Sequence, residues 1–117
     1  MAVSPSYRQF VLDSLGRVLP DLRAKNMFGG VGLYAEELFF ALIADDTLYF
    51  KVDDTTRGDF TARGRGPFRP FGEDGEVMQY FELPAELLEE PEPLREWIEK
   101  AVAVARRARQ SRQRRKR

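Results

Sequence analysis

The 117 residues of this chain carry 19 basic and 19 acidic side chains, so the formal net charge at pH 7 is zero. The sequence contains neither cysteine nor histidine, which excludes disulfides, thiolate nucleophiles, cysteine-based metal sites and mechanisms that use histidine as a general base. A chain of this length that is 43% hydrophobic and 32% charged is typical of one folded domain with its own core.

The first predicted element is a helix within residues 4–19. Its apolar residues, from Tyr7 to Leu19, recur on one helical face. Ser4 is placed to cap this helix and Pro5 fits its first position. Pro20 is expected to end it.

Three strands are predicted next, over residues 27–35, 37–45 and 47–53. The second is apolar on both faces, which is typical of a central strand, and the third alternates apolar and polar side chains. The breaks between them, AEE and DD, are short. Connections of this length favour antiparallel hairpins.

The second half of the chain predicts a short helix, a hairpin and a closing helix. The short helix lies within residues 53–64, and the hairpin arms lie at about residues 67–71 and 77–83, with prolines that suit an edge strand. The closing helix covers residues 90–110. The resulting order, α-β(3)-α-β(2)-α, predicts a two-layer α+β fold with a mostly antiparallel sheet packed against helices.

The charge is divided unevenly between this domain and the C-terminus. Residues 106–117, RRARQSRQRRKR, hold eight basic residues and no acidic one, which leaves 11 basic and 19 acidic residues in residues 1–105. We therefore predict a folded domain over residues 1–105 and a basic tail over residues 106–117 that continues the last helix. No apolar segment has the length of a membrane span or the pattern of a signal peptide, so a cytoplasmic protein is expected.

Three glycines crowd into the stretch NMFGGVGLY at residues 26–34. Their spacing matches neither nucleotide-binding glycine motif, and the pattern after them predicts a strand rather than the helix that a phosphate loop requires. A bulge, a bend or a close approach of another backbone is the favoured interpretation. The alternative is a ligand or partner surface, and its candidate residues are Phe28, Gly29, Gly30, Gly32 and Lys51.

Several segments, in this order, resemble one known family. MFGGVGLY, FFALIADDTLYFKVDD, PF at residues 67–68 and MQYFELP at residues 78–84 are similar to the N-terminal domain of the TfoX/Sxy regulators of bacterial natural competence. The likeness covers about residues 5–105 and implies the same α-β(3)-α-β(2)-α fold. In full-length regulators of this family a second domain suited to DNA binding follows, and the proteins act with a cyclic-AMP-responsive activator on DNA-uptake genes. Here a basic tail follows, and the resemblance implies no catalytic residues.

The tail is the strongest candidate for contact with nucleic acid. Clustered arginine and lysine side chains neutralise phosphates without reading sequence. A solvated helix end, or contact of the tail with acidic side chains of its own domain or of a neighbouring subunit, are the alternatives. The candidate nucleic-acid-binding residues are Arg106, Arg107, Arg109, Arg112, Arg114, Arg115, Lys116 and Arg117.

The remaining charged and aromatic residues favour structural interpretations. The carboxylates between Glu82 and Glu99 predict a solvated acidic face, and Lys51 is expected to be an exposed strand lysine paired with Asp53 or with a cross-strand acid. Most aromatic residues are expected to pack against the helices, because base stacking needs nearby arginines that the strand sequences lack.

Together these patterns predict a non-enzymatic regulatory or interaction module without metal or cofactor. Its protein partner is unidentified, and the open edges of the predicted sheet allow a homodimer. The alternative function is a small-ligand-binding domain that uses the glycine-rich first strand.

Overall fold

The fold is a five-stranded antiparallel sheet packed against helices. The computed structural model describes residues 3–27, 29–69 and 79–115. The strands are β1 (Arg23–Met27), β2 (Gly30–Ala35), β3 (Leu38–Ala44), β4 (Thr47–Lys51) and β5 (Tyr80–Glu82), and they lie in the order of the chain. The helices are α1 (Pro5–Gly16), α2 (Arg57–Thr61) and α3 (Pro91–Arg115), with a short 3₁₀ helix at Ala85–Glu89. The predicted α+β fold class is confirmed.

The strands are distributed differently from the prediction, with four before α2 and one after it among the described residues. The segment predicted as one strand over residues 27–35 spans the last residue of β1 and the whole of β2, and Met27 pairs with Gly30 across the two strands. Strand β1 was not predicted because its sequence, RAKNM, has no apolar alternation. Backbone pairing to β2 at the edge of the sheet stabilises it instead.

The predicted second hairpin is partly described. Residues 70–78, which contain its loop, lie outside the described residues. The Phe68 N–H donates to the Tyr80 carbonyl at 2.7 Å, and the Glu82 N–H donates to the Gly66 carbonyl at 2.9 Å. The proline-bearing segment at Pro67 therefore pairs on the outer side of β5, as expected for an edge.

The helix ends follow local chemistry. The Ser4 hydroxyl accepts a hydrogen bond from the Tyr7 N–H at 3.2 Å, and Pro5 occupies the first helical position, which confirms the predicted cap of α1. Helix α3 begins at Pro91 and runs through the basic segment to Arg115. None of the helices in the described ranges is long and apolar enough to cross a lipid bilayer.

A β-bulge decides which side chains of β3 face the helices. Leu33 pairs with Ala41 and Tyr34 pairs with Phe39, so Phe40 is an extra residue between two pairs. Phe40 and Ala41 are both fully buried. The bulge thereby leaves Phe39 beside Tyr34 on the face of the sheet opposite the core.

The main core lies between the sheet and the helices α1 and α3. Its fully buried side chains come from both layers: Val11 and Leu15 of α1, Leu33, Ile43 and Phe50 of the sheet, and Leu94 of α3. At a transfer free energy of about 25 cal/mol per Å² of apolar surface, this burial is the dominant stabilising contribution. The predicted alternation of β4 is confirmed, with Leu48 and Phe50 buried and Tyr49 and Lys51 on the other face. Lys51 is half-buried there, so it is less exposed than expected.

Two hairpin turns carry acidic residues in the left-handed region. Glu36 and Glu37 have φ values of 52° and 65°, and Asp45 and Asp46 have φ values of 53° and 52°. Two residues at positive φ form the turn type whose twist matches paired antiparallel strands. The four acids lie in pairs at opposite ends of β3, and all four are exposed.

Candidate functional site

The basic segment is a helical extension of α3 that ion pairs attach to the domain on two sides. Arg106 Nη2 lies 3.3 Å from Glu36 Oε2 in the β2–β3 turn. Arg107 Nη2 lies 2.8 Å from Asp53 Oδ2, just after β4. Two of the predicted nucleic-acid-binding arginines thus contact acidic groups of their own domain, which is the alternative that the sequence left open.

The Arg107 contact is the more extensive of the two. Its Nε donates to Asp53 Oδ2 at 3.2 Å, and its Nη2 donates to the Thr55 hydroxyl at 3.1 Å. Partial burial raises the pKa of Asp53, but hydrogen bonds from Thr55 and Arg107 outweigh it, so the pKa is lowered overall. Asp53 is therefore an anionic anchor for the helix at neutral pH.

The next arginines of the segment lie on the sheet side of α3. Arg109 and Arg112 line a cleft of about 320 Å³ at the end of the sheet where β3 begins and β4 ends. Arg114 is exposed. The side chain of Arg115, and Lys116 and Arg117, lie outside the described residues. The residues that line the cleft are Glu37, Leu38, Phe39, Lys51, Ala105, Arg109 and Arg112.

Lys51 belongs to this cleft, and its predicted pairing with Asp53 is wrong. Asp53 pairs with Arg107, and the cross-strand neighbour of Lys51 is Tyr80, whose ring centroid lies 5.0 Å from Lys51 Nζ. Burial, and then the charge of Arg112, lower the pKa of Lys51 below its ordinary value of 10.5. The lysine is a partly buried cation on an aromatic ring, close to a second cation.

The expectation that most of the aromatic residues pack into the core holds for about half of those that the structure describes. Tyr34 stacks on Phe39 with ring centroids 5.2 Å apart, and Phe39 lies 5.5 Å from Tyr80. Tyr49 and Phe68 form another pair at 5.0 Å on the same face. Phe40, Phe50 and Phe81 join the main core, and Tyr80 is buried as well. Phe28 and Phe71, also in the predicted set, lie outside the described residues.

The rings of the aromatic run Tyr34–Phe39–Tyr80 form one packed cluster beside Lys51, in which Tyr34 and Phe39 are half-buried and Tyr80 is buried. Burial raises the pKa of Tyr80 to about 12, the neighbouring Tyr34 adds to this rise, and Arg112 opposes it. The phenol is therefore neutral at physiological pH and can only act as a hydrogen-bonding group. The sequence argues against an aromatic binding surface because the strands lack nearby arginines. In the structure, α3 brings Arg109 and Arg112 beside Phe39 from a distant part of the chain.

The glycine-rich stretch has a structural explanation. Gly29 has a φ of 80° in the β1–β2 turn, and a Cβ at Gly30 would lie 2.5 Å from the Ile43 carbonyl oxygen of β3. A Cβ at Gly32 would lie 2.5 Å from Met27 Cε, so this glycine leaves room for side chains on the open face. The bend and the close approach of another backbone are both present, as the favoured interpretation predicted.

The candidate ligand surface around these glycines does not form one site. Gly29 and Gly30 line an apolar cavity of about 90 Å³ with Met27 and Phe68, whereas Lys51 lines the cleft under α3. Ligand pockets for drug-sized molecules measure about 300–1,000 Å³. This cavity is smaller than that range, but Gly29 and Gly30 also border an open cleft of about 540 Å³ with Arg8 and Asn26, so a ligand surface at the glycines stays a prediction. Phe28 lies outside the described residues.

Carboxylates do not assemble into a metal site in the described part of the chain. No group of three or more Asp or Glu side chains there is arranged to hold an ion. Glu82, in the predicted acidic face, pairs with Arg65 at 3.4 Å.

A comparison with protein-family models shows which family this chain belongs to. The family model of the TfoX N-terminal domain matches residues 13–105. The chain belongs to the TfoX N-terminal domain family. It is thus a competence-regulator-like module, and this family is not a known enzyme family. A comparison with curated proteins gives no match for this chain.

The family match covers one part of the candidate site and ends before the other part. Lys51 and the aromatic run Tyr34–Phe39–Tyr80 lie inside the matched residues of the TfoX N-terminal domain, whereas Arg109 and Arg112 follow its last matched residue, Ala105. A signal for their position exists in the sequence. The buried face of α3 that includes Ala101 and Ala105 reaches Arg109 and Arg112 when helical spacing is continued.

Proposed function

We propose that this TfoX N-terminal domain is a non-enzymatic regulatory module that contacts nucleic acid through the C-terminal half of α3. The observation that carries the proposal is the attachment of the basic helix by Arg106 and Arg107 on two sides of the domain. These ion pairs fix the orientation of α3 relative to the domain. The exposed side chains of Arg109, Arg112 and Arg114 follow the two paired arginines along the helix.

The chemistry of these side chains fits phosphate groups. Arginine forms charge-assisted hydrogen bonds with phosphate oxygens and stays protonated at all physiological pH values. Each phosphate contact on duplex DNA releases bound counterions, so affinity falls as salt rises, with a slope of about −0.9 per contact in log–log form. Contacts of this kind set position and strength but do not select a base sequence.

A non-enzymatic role agrees with the available side chains. The chain has no histidine and no cysteine, and the ionisable groups of the cleft are cations beside one carboxylate, Glu37. A general acid–base mechanism needs a group that titrates near the working pH and lies within reach of the substrate. Regulation through binding needs a surface that contacts the partner and does not need such a titrating group.

The test is fluorescence anisotropy of labelled duplex DNA with the full chain across a salt series. The double variant Arg112→Gln with Arg114→Gln removes two cations from the basic segment and keeps good helix formers. The matched control is Arg69→Gln with Arg95→Gln, which removes two exposed cations elsewhere. We expect the basic-segment variant to reduce the salt slope by about 1.8, corresponding to two contacts, and the control to leave it unchanged.

Two results would overturn the proposal. One is the absence of binding by the unmodified chain at low salt. The other is an equal loss of affinity in both double variants, because this would show that total charge matters rather than the α3 surface.

The homodimer and the cytoplasmic location stay predictions. On the β1 edge the exposed Arg23 and the basic Lys25 oppose pairing with a second copy, since charged residues blunt sheet edges. Sedimentation velocity of the full chain measures the oligomeric state directly.

A further inference from the structure

The cleft under α3 has the size of a small-molecule site. It measures about 320 Å³, which lies at the lower end of the range for ligand pockets. One wall is the start of β3 with Leu38 and Phe39, and the opposite wall is α3 with Ala105 and its two arginines. Lys51 from the end of β4 completes the lining between them.

The acidic side chains in and near the cleft are paired with cations that do not line it. Glu37, which lines the cleft, lies 3.3 Å from Arg23. Two acids close to the lining residues in sequence are paired as well, Glu36 with Arg106 and Asp53 with Arg107. Among residues 3–27, 29–69 and 79–114, no carboxylate lies within ion-pair distance of Lys51, Arg109 or Arg112. Three cations therefore line one cavity, and the carboxylate that lines it with them, Glu37, is paired with Arg23 instead.

Holding these cations together is unfavourable without an anion. Lys51 is partly buried and lies close enough to Arg112 for the two charges to repel, as the lowered pKa of the lysine reflects. A bound anion with two negative charges would offset this repulsion better than a carboxylate with one. A phosphate monoester carries nearly two charges at pH 7, because its second pKa is near 6.

The apolar part of the cleft adds a second requirement. The Phe39 ring lines the cavity and continues into the stack with Tyr34. A planar group attached to the phosphate would bury its surface against Phe39, in the offset or tilted geometry that aromatic pairs prefer.

We propose that this cleft binds a phosphate monoester with a planar aromatic group, with the phosphate between Lys51, Arg109 and Arg112 and the ring against Phe39. This inference goes beyond the nucleic-acid contact and does not depend on it. It assigns a role to Lys51, which the proposed function does not use.

Calorimetric titration of the full chain tests the site with phenyl phosphate as the probe. Benzoate presents the same ring with one negative charge, and methyl phosphate presents the same charge without the ring. We expect phenyl phosphate to bind more tightly than either. Lys51→Met and Arg109→Gln should each weaken its binding about tenfold or more, because each removes a charge-assisted hydrogen bond.

Arg114→Gln is the matched control, since Arg114 lies on the same helix but does not line the cleft. It should leave phenyl phosphate binding unchanged and should weaken DNA binding if the proposed function is correct. Failure of one proposal is therefore distinguishable from failure of the other. Arg109 is exposed, so its variant tests the site even if Lys51→Met disturbs folding.

The source of the phosphate is resolved by competition. A 5′-phosphorylated dinucleotide that displaces phenyl phosphate, when the same dinucleotide without phosphate does not, supports the site and identifies a nucleic-acid end as a source. Equal affinity for benzoate and phenyl phosphate, or full affinity in both the Lys51 and the Arg109 variants, overturns the proposal.

Discussion

The two faces of the sheet differ although the same strands supply both. On the helix-covered face, Leu33, Ile43 and Phe50 are completely buried, and α3 packs across β3 and β4. On the opposite face, Tyr34, Phe39 and Tyr49 stay partly exposed, and cations from β4 and α3 line a cleft with Phe39. One face therefore supplies most of the stability, while the other is available for binding.

The largest expected effect separates the two faces within one strand. Phe50→Ala should lower the free energy of unfolding by about 3–5 kcal/mol, because it leaves a cavity in the packed core. Tyr49→Ala, on the neighbouring residue of the open face, should cost about 1 kcal/mol. Urea denaturation measures both, and equal losses would contradict the division between the faces.

The close contact of β2 with β3 gives the next effect. Gly30→Ala should destabilise the protein by about 1–3 kcal/mol, because its Cβ would collide with the Ile43 carbonyl oxygen. Gly16→Ala at the end of α1 meets nothing within 4 Å and should stabilise by up to about 1 kcal/mol. Thermal unfolding of the two variants distinguishes close approach from a general effect of alanine, which would shift both in the same direction.

Lys51 tests whether the open face is arranged for binding rather than for stability. Lys51→Met removes a partly buried cation that Arg112 repels, so we expect a gain in unfolding free energy of up to about 1 kcal/mol even though phosphate binding is lost. The loss of the contact with the Tyr80 ring, worth about 0.5–1 kcal/mol, limits this gain. A loss of stability larger than that contact would show that Lys51 is a structural residue.

The smallest effect concerns the anchor of the basic helix. Asp53→Asn should cost about 0.2–1 kcal/mol at pH 7, as expected for an ion pair whose arginine is 49% exposed and whose aspartate is 32% exposed. The lowered pKa of Asp53 means that its contribution is fully present above the unfolded-state pKa, near 3.8, and is lost as pH falls through the folded-state pKa.

The difference between wild type and Asp53→Asn should accordingly disappear below that range in pH-dependent denaturation. Asp54→Asn is the control, since the Asp54 side chain is 96% exposed and pairs locally with Arg57. A difference that persists at low pH would show that the asparagine itself disturbs the turn with Thr55.

Local chemistry made much of the fold predictable. The cap at Ser4, the alternation of β4, the short acidic turns and the apolar face of α3 each depend on residues close together in the sequence, and the structure confirms them. Strand β1 was missed because its residues are polar, and its pairing partner in β2 supplies the backbone hydrogen bonds that define it.

The sequence by itself determined the family, the α+β class and the presence of a basic helix, because motif order, periodicity and charge are properties of the chain. Only the tertiary structure determined which residues the basic helix contacts. The bulge at Phe40 turns Phe39 toward the open face, and packing of α3 on β3 and β4 brings Arg109 and Arg112 to Lys51 across more than 50 residues of sequence. No local sequence pattern predicts the proximity of these arginines to Lys51, because it depends on how the whole of α3 packs on the sheet.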